Sequence, residues 1–522
     1  MVVSKIRSVA VIGGGPAGIA CVNELVHVCS NGISTLEKNT KPQSPAFDKI
    51  ICFEQNSKLG GVWNFFEKPD PKLPSLSILN SQRYNHASGI YEKPDFPAQK
   101  TLKNTSFSKP FVKISSKNIA DEFRWAKNAA YKDLFTNIPE KYMRFSYTPY
   151  EEISKGKFIS PLISSKNVRD YLNGIVDKYN LRSYFRTDSG VELVEKVQKE
   201  DGSEKWRLTI RHKTPFSKTE QWYQEEVDAV VAANGHCNVP FIPKIENLPH
   251  FVKQHPDVVR HSKSFRSAEE FKNQKVLLVG SGTSTADLAQ YILPNASKVV
   301  ISQRSKTVYP WIEECFKESP ELSFKPRIRR LLSETKQVEF DDGSVESFDH
   351  IILATGYHYH YPFLKDGDEF VKIYHKHDSN GPVSKIGNLF LYTFSTQDNT
   401  FATAGIPTIG LMFHAMEYSA AAIAGVFSRS KELPTIEEQD IWDAGRTQIS
   451  EPEVPHRYQG FFLEKIEEQL LNPLIKLAPE GRRTPLDVDK WNPSELSESD
   501  AALIKIYLGL KGGKLKSEDL CK

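Results

Sequence analysis

The sequence predicts an α/β protein built from two doubly wound domains, the second inserted into the first. Three observations carry that expectation. A short apolar strand runs into three glycines near the start, VAVIGGGPAGIA at residues 9–20. A related unit, VLLVGSGTSTADLA, begins at residue 276. Two buried strands that each end in a small-small-Gly turn, VDAVVAANGH (Val227 to His236) and FDHIILATGY (Phe348 to Tyr357), bracket that second unit.

In the first unit, Ser8 to Ile12 reads as a strand covered on both faces, because such strands are continuously apolar. Gly13-x-Gly15-x-x-Gly18 follows it with the spacing of a dinucleotide fingerprint. Gly13 permits the tight turn, Gly15 lets backbone approach a pyrophosphate, and Gly18 lets the next helix pack close. Pro16 and Ala17 open that helix, whose N-terminal N–H groups favour phosphate. The fingerprint needs an acid at the end of the second strand, to hold a ribose hydroxyl. Glu37 has about the usual spacing of ~20 residues, but its flank, SNGIST, is polar. Glu54 closes the apolar run KIICFE, so Glu54 is the choice, with EKNTKPQSP as an insertion ahead of it. KLGGVW follows, where Gly60 and Gly61 allow a close approach to ligand by Gly61, Val62 and Trp63; Trp63 reads equally as a core anchor.

In the second unit, Val276 to Val279 is the strand, Gly280-x-Gly282 the turn, and Thr283 and Ser284 open the helix. Thr285 stands where a third glycine is usual. The next strand, KVVISQR, ends in Arg304 with Lys306 close behind, not in an acid. An arginine there clamps a 2′-phosphate, whereas an acid holds a ribose hydroxyl. The second site therefore reads as one for NADP(H) and the first, ending in Glu54, as one for FAD. The ATG turn of FDHIILATGY adds Thr355 and Gly356 as backbone passing close to a dinucleotide. The resulting division is 1–238 for the first part of the FAD domain, 239–345 for the NADPH domain, and 346–522 for the second FAD part with a charged tail.

Composition agrees with that scheme. The 522 residues, 39% hydrophobic and 25% charged, exceed what one core holds. A net charge of +3 gives no footprint for nucleic acid. The six cysteines form no CxxC pair, so neither a zinc site nor a redox disulfide is written here. Scattered thiols fit a reducing compartment. No signal peptide precedes Val9, and no run reaches the ~20 apolar residues of a transmembrane span; AALIKIYLGLKGG is broken by Lys505 and Lys511. The expectation is a soluble, cytoplasmic protein, with peripheral attachment to the cytosolic face of the endoplasmic reticulum left open.

With these motifs in order, the chain resembles the flavin-containing monooxygenases of fungal type from Val9 to about Pro434. The resemblance rests on GGGPAG, the acid followed by GGVW, YKDLFTNIPEKYMRF from Tyr131, ANGH, GSGTSTAD and ILATGY. LFTNIP discriminates best, since a generic two-dinucleotide reductase has no reason to carry it. By resemblance Asn137 lies beside flavin and nicotinamide; taken alone it is equally a turn residue before proline. The late stretch AGIPTIGLMFHAMEY resembles the family segment near the isoalloxazine, which implies contacts from Pro407 and Thr408; read plainly, the proline starts a helix. One motif departs. The family runs Phe-x-Gly-x-x-x-His-x-x-x-Phe/Tyr, and here His255-x-Asp257-x-x-x-His261-x-x-x-Phe265 lacks the leading pair. Phe265, where Baeyer–Villiger relatives carry Trp, favours heteroatom oxidation, and His261 reads as structural.

The resemblance implies an FAD- and NADPH-dependent monooxygenase that oxidises thiols, sulfides or amines with O2 through a C4a-(hydro)peroxyflavin, and it allows a homodimer. Consistently, no catalytic triad, HExxH or P-loop lysine appears. Baeyer–Villiger oxidation, N-hydroxylation and a catalytically silent nucleotide sensor remain alternatives. The polar stretch 93–124 and the tail after Pro434 receive no role.

Overall fold

A computed structural model describes residues 5–117, 122–153, 161–214, 216–304, 319–365, 367–375, 384–447 and 463–512. Ser8–Ile12 is a strand and Pro16–Val26 a helix buried on every side. The strand lies inside a seven-stranded sheet, between Lys49–Phe53 and Ala229–Ala232, both parallel to it, with Val9 facing Ile50 and Ala229. Phe185–Arg186 and Phe401–Thr403 extend the parallel set. Parallel strands must be covered on both faces, and the first helix packs on this sheet and against Met412–Phe427. That second helix is alanine-rich and almost wholly buried. Its Gly425 is obligatory for close approach, since a Cβ there would stand 1.9 Å from the Leu477 carbonyl oxygen.

The inserted domain is a five-stranded, all-parallel sheet in the order Val259–His261, His350–Leu353, Lys275–Val279, Lys298–Ser302, Leu322–Lys325. The expected boundary at 345 therefore falls too early, because His350–Leu353 pairs with Lys275–Val279 and the chain leaves the domain only after it. The cause is physical: a doubly covered parallel strand is apolar throughout, so its composition does not tell which sheet owns it. The two small-small-Gly turns do mark the crossings. Val239–Pro240 and Tyr357–His358 run side by side as an antiparallel pair.

The tail also differs from expectation. Pro493–Lys511 is a helix, and its Ala502, Leu503, Ile506 and Tyr507 join the core of the inserted domain with Leu288, Ala289 and Ile292. No helix among the described residues is long and apolar enough to cross a membrane. The polar stretch 93–124 supplies the edge strand, Phe111–Ile114, of a four-stranded antiparallel sheet. It also supplies buried, paired charge: Glu122, with Glu220 of a neighbouring strand, binds Arg211, both at 2.6 Å, and Arg124 binds Glu192 at 2.8 Å. Removing one partner of such a pair strands a charge out of water.

A second buried charge cluster explains where Glu37 goes. Arg482, fully buried, bonds Glu24 at 2.9 Å, Glu417 at 2.7 Å, and Glu37. Three carboxylates about one guanidinium leave surplus negative charge. Burial pushes the Glu24 carboxyl up from 4.5 to about 7, with Arg482 opposing and Glu417 adding to the rise. A carboxyl raised in the folded state favours folding in full below its ordinary value, and that contribution is lost as pH rises through the folded value. Glu24 is thus expected to withdraw on the order of 1–3 kcal/mol of stability as the pH rises from its ordinary to its folded value. In thermal unfolding scans across that interval, Glu24→Gln should flatten the decline; an unchanged slope would mean that Glu24 stays ionised throughout.

Candidate active site

The two domains and the C-terminal helix enclose a cavity of about 880 Å³. Its wall is made where strands end and turns begin, which is where open α/β sheets bind ligands. Gly13, Gly15, Pro16 and Ala17 of the first turn line it. Gly13 has φ of 111°, and a Cβ on it would lie 2.4 Å from the Ala233 carbonyl oxygen. Gly18 sits behind the wall and closes the helix onto the strand: a Cβ there would stand 1.8 Å from the Gly13 oxygen. Gly15 caps the helix, and the position of its missing Cβ is 3.4 Å from the Gly61 Cα. Two bare backbones thus meet at a helix N-terminus facing the cavity, a surface that fits a pyrophosphate.

Glu54 follows the second strand directly and lines the same cavity. It is 6% exposed and accepts from the Gly14 and Asn56 backbone N–H groups, each at 2.8 Å. Burial raises its carboxyl above the ordinary range, and those N–H donors oppose the rise. Glu37, bound by Arg482 and Arg483, is not in the wall. Gly61, Val62 and Trp63 form a short helical turn along the cavity, and Trp63 also packs on the first core. The indole therefore borders the cavity and anchors the core at once.

The second cradle is looser. Gly280 has φ of 134°, with a would-be Cβ 2.4 Å from the Ala354 oxygen and 3.2 Å from Thr285 Oγ1. Thr285 stands in the third-glycine place, where the first unit has Gly18. Gly282 caps the helix Thr283–Ile292, and nothing lies within 4 Å of where its Cβ would be. Thr283 reaches the cavity, with Ser284 next in the first turn. Arg304 is exposed, two residues beyond Ser302, whose carbonyl accepts from the Gly280 N–H at 2.9 Å. Among the described residues no carboxylate pairs with it; Lys306 lies outside them.

Thr355 and Gly356 lie in the crossing and not in the cavity wall. Thr355 Oγ1 donates to the Phe241 carbonyl at 2.6 Å, and the Gly356 carbonyl accepts from the Phe241 N–H at 2.9 Å. The same carbonyl accepts from His261 Nε2 at 3.1 Å, while His261 Nδ1 accepts from the Lys263 N–H at 3.1 Å. These partners fix one neutral tautomer. Burial, with Lys263 adding to it, pushes His261 down to about 3, so this histidine holds the crossing.

The LFTNIP segment bridges the domains. Thr136 pairs with Ile163 through its N–H at 2.9 Å and its Oγ1 at 3.2 Å. Tyr131 Oη donates to Asp287 of the second cradle helix, and Tyr291 Oη donates to the Asp133 carbonyl at 2.7 Å. Burial raises Asp287 to about 6. Asn137 is exposed and faces the cavity. Among the described residues no hydrogen bond holds its amide, so it does not cap its own turn. Thr408 lines the cavity and Pro407 is buried beside it. The helix begins only at Met412, so this proline is not in its first turn. Among the wall residues that sequence reasoning missed are His236, stacked on Tyr359 at 4.7 Å, Trp491 and Asp500.

The profile of a flavin-binding monooxygenase-like family matches residues 115–317 and 319–455. Flavin-containing monooxygenase iboF of Amanita muscaria is 26% identical over 506 residues, covering 89% of this chain and 86% of that one. A trimethylamine monooxygenase of Methylocella silvestris is 27% identical over 362 residues, 69% of this chain and 62% of its own. Among solved structures, S-allyl-L-cysteine S-oxygenase from Allium sativum has a TM-score of 0.59 at 21% identity, with 98% and 95% of the two chains covered. That last likeness is one of fold.

Proposed function

The chain belongs to the flavin-binding monooxygenase-like family, and from that premise we propose that it uses FAD and NADPH to place one atom of O2 on a thiol, sulfide or amine. The observation that carries this reading is one cavity lined by Gly13 and Gly15 of the first cradle, by Thr283 from the helix of the second unit, and by Asn137. Per turnover, one NADPH and one proton are consumed, one oxygen atom goes to the nucleophile and the other leaves as water. When bound, FAD supplies hydride acceptance and oxygen activation. This chain's residues bind and orient. The Gly13–Gly15 turn and the helix N-terminus would hold the pyrophosphate, Glu54 a ribose hydroxyl, and Asn137 and Thr408 would meet the ring. The apolar wall from Met412, Phe413, Leu463 and Ile466 excludes water from the reacting atoms. The name of one relative, a trimethylamine monooxygenase, favours a soft nucleophile. Cytoplasmic residence and a homodimer belong to the same proposal.

Arg304 is assigned to the 2′-phosphate. A charge-assisted hydrogen bond contributes about 1.5–3 kcal/mol, so Arg304→Ala is expected to weaken NADPH roughly ten- to a hundredfold and leave NADH nearly unaffected. Equal losses for the two coenzymes in steady-state titrations would make the arginine structural. The reading as a whole is tested by the visible spectrum of the purified chain. It should be yellow, bleach on anaerobic addition of NADPH, and recover its colour in air. A colourless protein that binds neither nucleotide would refute it.

A further inference from the structure

Asn137 sits where its segment changes core. Tyr131 and Phe135 pack in the core of the inserted domain with Ala286, Leu288 and Tyr291, whereas Ile138 and Tyr142 pack in that of the first domain. The segment is tied to the first domain by backbone. The Ser165 N–H donates to the Leu134 carbonyl at 2.8 Å, and Thr136 pairs with Ile163. Ser165 opens the helix Ser165–Lys178, whose Val168, Leu172 and Ile175 belong to the first core.

Side chains tie the same segment to the second cradle helix, and they run in both directions. Tyr131 Oη donates from the segment to Asp287, whose other oxygen accepts from Gln290 Nε2 at 2.9 Å. Tyr291 Oη donates back from the helix to the Asp133 carbonyl at 2.7 Å. The two tyrosines are buried, with their rings edge to face at 5.5 Å. Asp287 lies one turn beyond Thr283 on the helix Thr283–Ile292, and Thr283 reaches the cavity. Apolar burial of Leu288, Ala289 and Ile292 docks this helix, but such burial is non-directional. The two hydroxyl bonds have fixed partners, so they fix where the helix stands along the segment that carries Asn137.

We propose that the reciprocal bonds, Tyr131 to Asp287 and Tyr291 to Asp133, are a staple that sets the span between the second cradle and Asn137, and with it the fit of a dinucleotide reaching from one to the other. Asp287 is thereby a positioning residue for NADP(H). The proposal rests on the reading of the second unit as the NADP(H) cradle and of Asn137 as the contact at the nicotinamide end.

The test measures binding to the FAD-loaded full chain by equilibrium dialysis, with two ligands. NADP+ spans the site, whereas 2′,5′-ADP lacks the nicotinamide half and reaches only the cradle. Tyr131→Phe combined with Tyr291→Phe keeps both rings and removes only the hydroxyls. This variant is expected to bind NADP+ about tenfold more weakly and 2′,5′-ADP as the wild type does. Asp287→Asn should bind both ligands as the wild type does. Its Oδ1 still accepts from Tyr131, and its amide finds Gln290 Oε1, which is buried without a partner among the described residues. Equal weakening of both ligands in the tyrosine variant, the mark of a loosened domain, would overturn the staple, as would unchanged NADP+ binding. In either case a wild type that binds both ligands keeps the NADP(H) reading, and the staple alone fails. A wild type that binds neither would overturn both. A selective loss of NADP+ in a chain that oxidises no sulfide would keep the staple and remove the monooxygenase reading.

Discussion

Gly15→Val is expected to give a folded but colourless protein. Gly15 has φ of −80° and ψ of −172°, an extended conformation that valine adopts without strain. Its Cβ would meet only Gly61, its Cα at 3.4 Å and its N at 3.8 Å, which are ordinary contacts. The two γ-methyl groups, however, would occupy the strip of wall where backbone N–H groups must reach a pyrophosphate. Each charge-assisted hydrogen bond lost costs about 1.5–3 kcal/mol, so losing two should weaken FAD by at least a hundredfold. Gly18→Val is the contrasting variant. Its Cβ would be 1.8 Å from the Gly13 oxygen, which forces the helix off its strand, and loss of folding is expected. The comparison is visible absorbance per chain together with far-ultraviolet circular dichroism. Full flavin occupancy in Gly15→Val would remove the first cradle from the FAD site.

Asn137→Leu should leave folding, flavin content and reduction by NADPH as in the wild type, and abolish most product. Leucine has a similar volume but neither donor nor acceptor. The asparagine amide makes no hydrogen bond among the described residues, so its removal unpairs nothing in the fold. Positioned donors in water-excluded sites contribute about a hundredfold or more to a reacting step. Without this one, NADPH should be consumed with release of hydrogen peroxide in place of a sulfoxide. The measurement is peroxide formed per NADPH oxidised, with a small sulfide present. An unchanged ratio and normal product yield would make Asn137 a turn residue.

The parts of this site that were legible in the sequence are those written locally. Ser8–Ile12, the glycine turn and the helix at Pro16 form one contiguous pattern whose turn chemistry has a single purpose. Glu54 was found by the apolar quality of its strand against the better spacing of Glu37; the structure lodges Glu37 on Arg482 and Arg483, some 445 residues away along the chain. Ownership of His350–Leu353 was not legible, because a fully covered strand looks alike in either sheet. The polar stretch 93–124 looked unassignable because the partners of Glu122 and Arg124, Arg211 and Glu192, stand on later strands of the sheet it joins, Glu204–His212 and Ser189–Gln198, far along the chain. Trp491 and Asp500 gave no signal either. They sit in the charged tail, which carries no motif, and the docking of Ala502, Leu503, Ile506 and Tyr507 on the inserted domain holds their segment beside the cavity. Thr355 and Gly356 were legible as a crossing; their hydrogen bonds to Phe241 and His261 tie that crossing in place, which a glycine-turn pattern alone cannot distinguish from ligand contact.

The central claim is that this cavity couples NADPH oxidation to transfer of one atom of O2. It is tested most directly by turning over a small sulfide with purified protein and NADPH under isotopically heavy O2, and weighing the product. The account predicts one heavy oxygen atom per sulfoxide and one NADPH oxidised for each molecule formed. A sulfoxide carrying oxygen from water, or NADPH oxidised with peroxide as the sole oxygen product, would contradict it.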